Sequence, residues 1–296
     1  MKRAGGRFKF QTPSSKEVPS SNIQEHGIGR RLSRIGGVGA LSFATFLILS
    51  AAAQAEEKKD QKEEKKPDPP RIALLVPLAA SIGTTNQIKI RGQNLTNVTE
   101  VRFTNETVKV EIVIKAKGKA ELPKDADAKK VGDTQLEIEL TVPAETGPAT
   151  NWFIVVSPDG QSEPKPLLFL PTASLIEEQE PNGAFRAPQD VAPGRSISGG
   201  IREPGDVDVF RFSGKAGQKV TAEVYASAAG SSLDSLLTLY DGTRHFMASN
   251  DDSPNTIDAA IRFKLPRDGD YLLVLQDAHD RGGPGHVYLL AIRIEE

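Results

Sequence analysis

The sequence predicts an all-β protein made of two β-sandwich domains that follow a leader and a charged tether. Three observations predict this. Apolar residues recur with period two in short runs, the pattern of half-buried antiparallel strands. Turn residues separate the runs, and 26 Gly and 20 Pro supply them. The length of 296 residues suits about two domains once processed segments are set aside.

Composition narrows the function classes. The chain has no cysteine, which excludes a disulfide framework, thiolate metal sites and a cysteine nucleophile. The formal net charge of −2 combines +6 over residues 1–34 with −8 over residues 56–296. An acidic body lacks the basic face that displaces counterions from a nucleic acid, so no nucleic-acid partner is expected.

Residues 1–55 read as a signal peptide with a long n-region. Arg30, Arg31 and Arg34 precede an apolar centre from Leu41 to Leu49, and Ala53-Gln54-Ala55 supplies the small-x-small cleavage pattern. Left uncleaved, the segment would be a membrane anchor. Export to periplasm, cell envelope or medium is therefore expected. Residues 56–71, EEKKDQKEEKKPDPPR, are charged at twelve of sixteen positions. They bury no apolar surface and read as a disordered tether.

Residues 72–171 form the first predicted domain. Ile72 to Val76, Gln87 to Arg91, Val101 to Phe103, Val108 to Ile114, Leu136 to Leu140 and Trp152 to Val156 are its strand signals. About seven strands in a hundred residues, without a helix signal, suggest an immunoglobulin-like sandwich. Trp152 is expected in its core. The charged insertion Lys115 to Lys130 is expected to extend a hairpin. The Gly92-Gln-Asn94-Leu95 turn, the Val142-Pro143 to Pro148 segment and Ser157-Pro-Asp-Gly160 resemble the IPT/TIG family of immunoglobulin-like domains. That resemblance implies a spacer or recognition module.

Residues 172–296 form the second. Phe210 and Phe212 share a strand face, as do Val220, Ala222 and Val224, then Ile261, Phe263 and Leu265, then Tyr271, Leu273 and Leu275. Tyr288, Leu290, Ile292 and Ile294 form the closing strand. Glu178, Glu180 and Asn182 point one way in an extended segment, and Asp206 and Asp208 share a face of the next strand. Calcium takes six to eight oxygen ligands, mostly carboxylate and carbonyl, which these residues offer. The same residues also suit turn capping, with the glutamates solvated. Asn250, Asp251, Asp252 and Asp258 make a second acidic group, more in keeping with a polar turn.

The order Glu-Pro-Asn, GDVDVFRF, AGQKV, LDSLL, NDD, LPRDGDY and YLLAI closely resembles the bacterial pre-peptidase C-terminal domain. The resemblance implies a jelly-roll-like sandwich appended to exported proteases and other secreted proteins. In its collagen-binding relatives a Glu-x-Glu-x-Asn segment and aspartates before the first aromatic strand hold calcium. Glu178, Glu180, Asn182 and Asp208 match that pattern, and Asp206 adjoins it. Gly183 stands where those relatives carry an acidic residue, one ligand fewer.

No nucleophile elbow, HExxH or phosphate-binding loop is present. Asp277, His279 and Asp280 cluster in one loop but read as solvated, and the acidic residues read as turn or solvent-face positions. The expected function is a non-catalytic binding or adhesion module, recognising an extracellular or envelope protein or polysaccharide. An accessory or targeting subunit of a secreted peptidase or other hydrolase is the alternative.

Overall fold

A computed structural model describes residues 67–122 and 127–295. The leader, its cleavage site at Ala55 and the tether up to residue 66 lie outside the described residues. The rest is all-β, in four sheets that close pairwise over two cores.

The first pair is built from β1 (Arg71–Val76), β2 (Ala79–Ile82), β3 (Thr85–Gln93), β4 (Glu100–Phe103), β5 (Glu111–Lys119), β6 (Thr134–Thr141), β7 (Ala149–Ser157), β8 (Gly160–Gln161) and β9 (Lys165–Pro171). One sheet has the order β1-β3-β6-β5 and the other β2-β9-β7-β4, with β8 on β7. Ile88 and Ile90 of β3, Leu136, Ile138 and Leu140 of β6, and Phe153 and Val155 of β7 fill the space between them. The Phe103 ring meets Phe153 at 6.0 Å and Phe169 at 5.5 Å. The expected turn forms after β3: Asn94 adopts φ +58° and Leu95 is buried. Gly92 is required there, because a Cβ would sit 1.9 Å from the Arg71 carbonyl oxygen. The insertion does extend a hairpin, since β5 pairs with β6 from Glu111↔Thr141 to Lys119↔Thr134.

Two features differ from expectation. Strands β2 and β9 pair in parallel, Ala79 opposite Leu168, although two alanines in one and terminal prolines in the other mask their strand character. Trp152 is not in the core. It is 39% exposed, because Phe153 and Val155 take the inward register of β7 and parity turns Trp152 out.

The second pair is built from β10 (Leu175–Glu177), β11 (Gln189–Asp190), β12 (Arg195–Gly200), β13 (Val207–Gly214), β14 (Lys219–Tyr225), β15 (Ser235–Asp241), β16 (Phe246–Asn250), β17 (Ala260–Lys264), β18 (Gly269–Asp277) and β19 (Val287–Glu295). Its sheets run β10-β12-β19-β14-β17 and β11-β13-β18-β15-β16. Each period-two run from the sequence becomes a strand with its apolar face inward, Phe210, Phe212, Tyr271, Leu273, Tyr288 and Leu290 among them. The Phe212 and Tyr271 rings stack at 5.7 Å. Burying such side chains contributes about 1.5–3 kcal/mol each.

The two sandwiches meet within one compact unit. Leu74 and Leu78 pack with Ala229, flanked by Val76, Tyr225 and Val287. This explains why β1 is buried over four consecutive residues rather than alternately.

Candidate metal centre

Strand β13 carries Asp208 on the same face as Phe210 and Phe212, which is the core face. The carboxylate is consequently 0% exposed. The segment after β10 runs irregularly across the start of β13, with a cis Glu180–Pro181 bond. It delivers Glu178, Glu180 and Asn182 to Asp208. One carboxylate oxygen from each of Glu178, Glu180 and Asp208 lies within 4.8 Å of the others. The Asn182 Nδ2 donates to Glu178 Oε1 at 3.4 Å, and the Asn182 carbonyl accepts from Val209 N at 3.2 Å.

The supports around the cluster are specific. Tyr288 Oη donates to Asp208 Oδ2 at 2.6 Å, and Gly200 N donates to Glu178 Oε2 at 2.9 Å. Gly199 leaves room for both, since a Cβ there would lie 2.5 Å from the Tyr288 hydroxyl and 2.6 Å from Glu178 Oε2. Asn182 N donates to Glu180 Oε2 at 2.9 Å. Outside, the exposed Arg202 reaches Glu178 and Glu180 only at 3.9 Å. A cavity of about 730 Å³ opens beside the cluster, lined by Glu177, Glu180, Gln189 and Asp190. Asp190 is already held by Arg211 at 2.5 and 2.8 Å.

Within this cluster two polar atoms have no partner. Asp208 Oδ1 and Asn182 Oδ1 are buried without a hydrogen bond, and Asn182 is 1% exposed. Such atoms cost about 1–3 kcal/mol each when left unsatisfied. Burial, and then the Glu178 charge beside it, pushes the Asp208 carboxyl far above the usual carboxylate range, against the pull of the Tyr288 hydrogen bond. Burial likewise raises the Tyr288 phenol. A cluster of oxygen donors with orphaned buried oxygens fits a hard divalent cation. No nitrogen or sulfur ligand is present to favour a softer one.

The structure therefore gathers Glu178, Glu180, Asn182 and Asp208. Asp206 lies close enough to raise Asp208, but its Oδ2 accepts from Arg202 N at 2.6 Å and so closes the turn before β13. Tyr288, Gly199 and Gly200 were not singled out from sequence. The demand of a buried tyrosine hydroxyl for a partner is the signal that points to Tyr288.

The other acidic groups serve the backbone. Asp258 accepts from Ala226, Ser227 and Ala228 N at 3.2, 2.7 and 3.2 Å, and Asn250 Oδ1 accepts from Ala260 N at 2.8 Å. Asp251 and Asp252 are exposed, so these four residues do not converge. Asp277 is buried rather than solvated. It accepts from the backbone N–H groups of Asp234, His279 and Arg281 and pairs with the Arg281 guanidinium at 3.0 and 3.1 Å. Burial alone would raise its carboxyl; these donors hold it below the usual range. The expectation that acidic residues lie only in turns and on solvent faces is thus corrected: Asp208, Asp241, Asp258 and Asp277 are all buried. Among the described residues no helix is long and apolar enough to cross a membrane.

Comparison with known proteins bears on the second sandwich. The family model of the bacterial pre-peptidase C-terminal domain matches residues 206–277. A probable subtilase-type serine protease of Deinococcus radiodurans is 41% identical over 101 residues, 33% of this chain and 14% of that protein. The chain thus spans a small part of that relative's length. Among solved structures, the pre-peptidase C-terminal domain of a Bacillus anthracis collagenase is 14% identical, with a TM-score of 0.31 over 39% of this chain and 100% of the other. A periplasmic inhibitor of g-type lysozyme from Aeromonas hydrophila is 22% identical, with a TM-score of 0.27 over 37% of this chain and 100% of the other. Residues 206–277, the stretch that carries Asp208 and its strand, are those of a bacterial pre-peptidase C-terminal domain.

Proposed function

We propose that the chain is an exported, non-catalytic binding module, recognising an extracellular or envelope polysaccharide or protein, whose second sandwich is braced by calcium. Glu178, Glu180, Asn182 and Asp208 would hold the cation. The observation that carries the calcium reading is the pair of buried, unpartnered oxygens on Asn182 and Asp208 beside three converging carboxylates. A bound cation neutralises that charge and supplies the missing partners. This chain's own residues do the rest. Tyr288 orients Asp208, Gly200 N orients Glu178, and Asn182 N orients Glu180. The cation would tie the segment after β10 to the start of β13, and so fix the loop that continues to β11.

Absence of catalysis is supported by how the polar groups are used. Among the described residues, Asp241, Asp258 and Asp277 are committed to turns and loop anchors. The histidines His245 and His279 sit beside Asp241 and Asp234 on exposed loops. The Thr243 hydroxyl that meets His245 already donates to Asp241 at 2.6 Å. Export is supported by the leader pattern at residues 30–55. A second reading, an accessory or targeting part of a secreted peptidase, draws on the similarity to the subtilase-type protease. A glycan array and an envelope pull-down with the full chain test the first reading; blanks in both would sink it. Co-purification with a secreted peptidase would favour the second.

A further inference from the structure

Beyond the metal centre the chain arches over the outer face of the second sandwich. Phe185 lies in this arch and packs on Val209, Leu272 and Val274 of β13 and β18. Its ring meets Tyr240 of β15 edge-on at 5.1 Å, and Tyr240 meets Phe246 of β16 edge-on at 6.3 Å. Phe246 is 64% exposed, the most exposed large apolar side chain among the described residues. The Arg244 guanidinium stands 5.8 Å over the Phe185 ring.

The turn that presents Arg244 is held firmly. Arg244 has φ +69°, a left-handed conformation costly for arginine. Asp241 enforces it by accepting from Thr243 N, Thr243 Oγ1 and His245 N at 2.8, 2.6 and 3.0 Å, while Arg244 N donates to the Asp241 carbonyl at 2.8 Å. The guanidinium so presented has no hydrogen-bond or ion-pair partner, and neither does Arg186 next to Phe185. The unpaired Arg244 guanidinium over Phe185, in an aromatic row that ends in the exposed Phe246, stands out on a body with a net charge of −8.

We infer that the Phe185–Tyr240–Phe246 corner, with Arg244, binds a carboxylated polysaccharide, a chain of uronic-acid type. The inference rests on the binding-module reading and names its ligand class. The exposed Phe246 ring offers a stacking surface for the C–H face of a sugar. The planar guanidinium offers paired donors to a sugar carboxylate. Polar side chains also lie on this face: the Thr238 and Ser249 hydroxyls are 3.2 Å apart, and Ser213 donates to Asp270 at 2.7 Å. That mix suits a hydroxyl-rich chain. It lacks the continuous apolar core of a stable protein interface, which takes about 800 Å² from each partner.

Affinity electrophoresis of the full chain tests this, with polygalacturonate or alginate in one set of gels and neutral dextran or xylan in another. The uronate gels are expected to retard the chain and the neutral gels to leave it unretarded. Phe246→Ala should weaken binding about tenfold, since stacking and cation–π contacts are each worth about that order. Arg244→Asn should weaken it about fivefold or more; asparagine tolerates the left-handed turn, so the variant keeps the fold. No retardation on the uronates, or retardation that both variants retain, overturns the inference. Retardation by xylan alone also overturns it, but leaves the binding-module reading standing, whereas that reading falls only if the glycan array and pull-down are blank too.

Discussion

Asp208 concentrates the physics of this molecule in one side chain. Period two places it on a core face, where a carboxylate is costly unless protonated, hydrogen-bonded or metal-bound. Tyr288 donates to one oxygen and no donor reaches the other, which faces the Glu178 carboxylate. Its folded pKa is raised above the unfolded value of about 3.9. The unfolded chain therefore releases this proton first, and cation-free stability falls as pH rises from about 4 toward the raised folded value. Melting curves in chelator across that range should show a declining midpoint. Asp208→Asn should flatten the decline and abolish any calcium-induced rise. Tyr288→Phe removes the remaining partner of Asp208 and should cost about 1–3 kcal/mol in chelator, measured by urea unfolding.

At the scale of elements, the sequence made the second sandwich legible because its strands alternate cleanly and its turns carry glycine. The convergence of the acidic segment on one side was legible for the same reason, since Glu178, Glu180 and Asn182 sit at alternate positions. What could not be read was the partner across the fold. Tyr288 is 80 residues from Asp208 and meets it only because β12 and β13 belong to facing sheets, and β19 pairs with β12. Trp152 was misplaced for a related reason, as every residue of the run Trp152 to Val156 is apolar and parity is then ambiguous. Strand β9 was hidden by its prolines. The arch from Gly183 to Pro188 is the element whose order should depend on the cation. Amide hydrogen exchange over residues 178–190 should slow in calcium and recover in chelator; exchange that ignores calcium would separate the arch from the site. Gly199→Ala pushes a methyl into Tyr288 and Glu178, and should lower the melting midpoint and weaken calcium binding together.

For the molecule as a whole, two sandwiches share an apolar seam at Leu74, Leu78 and Ala229. Gly230 lets them approach: it has φ +97°, and a Cβ there would sit 2.4 Å from the Ala73 carbonyl oxygen. Calorimetry should show one unfolding transition, and Gly230→Ala should split it into two as the seam loosens. The acidic carboxylate cluster at the start of β13 and the aromatic row on the outer face belong to the same sandwich. The measurement that bears most directly on this account is calcium titration calorimetry of the full chain, with melting curves in calcium and in chelator. The account predicts a saturable heat of binding and a raised midpoint, both lost in Glu180→Ala, because a ligand selective for the native state stabilises it. No heat and no shift would contradict it and leave Glu178, Glu180 and Asn182 as turn chemistry around a protonated Asp208.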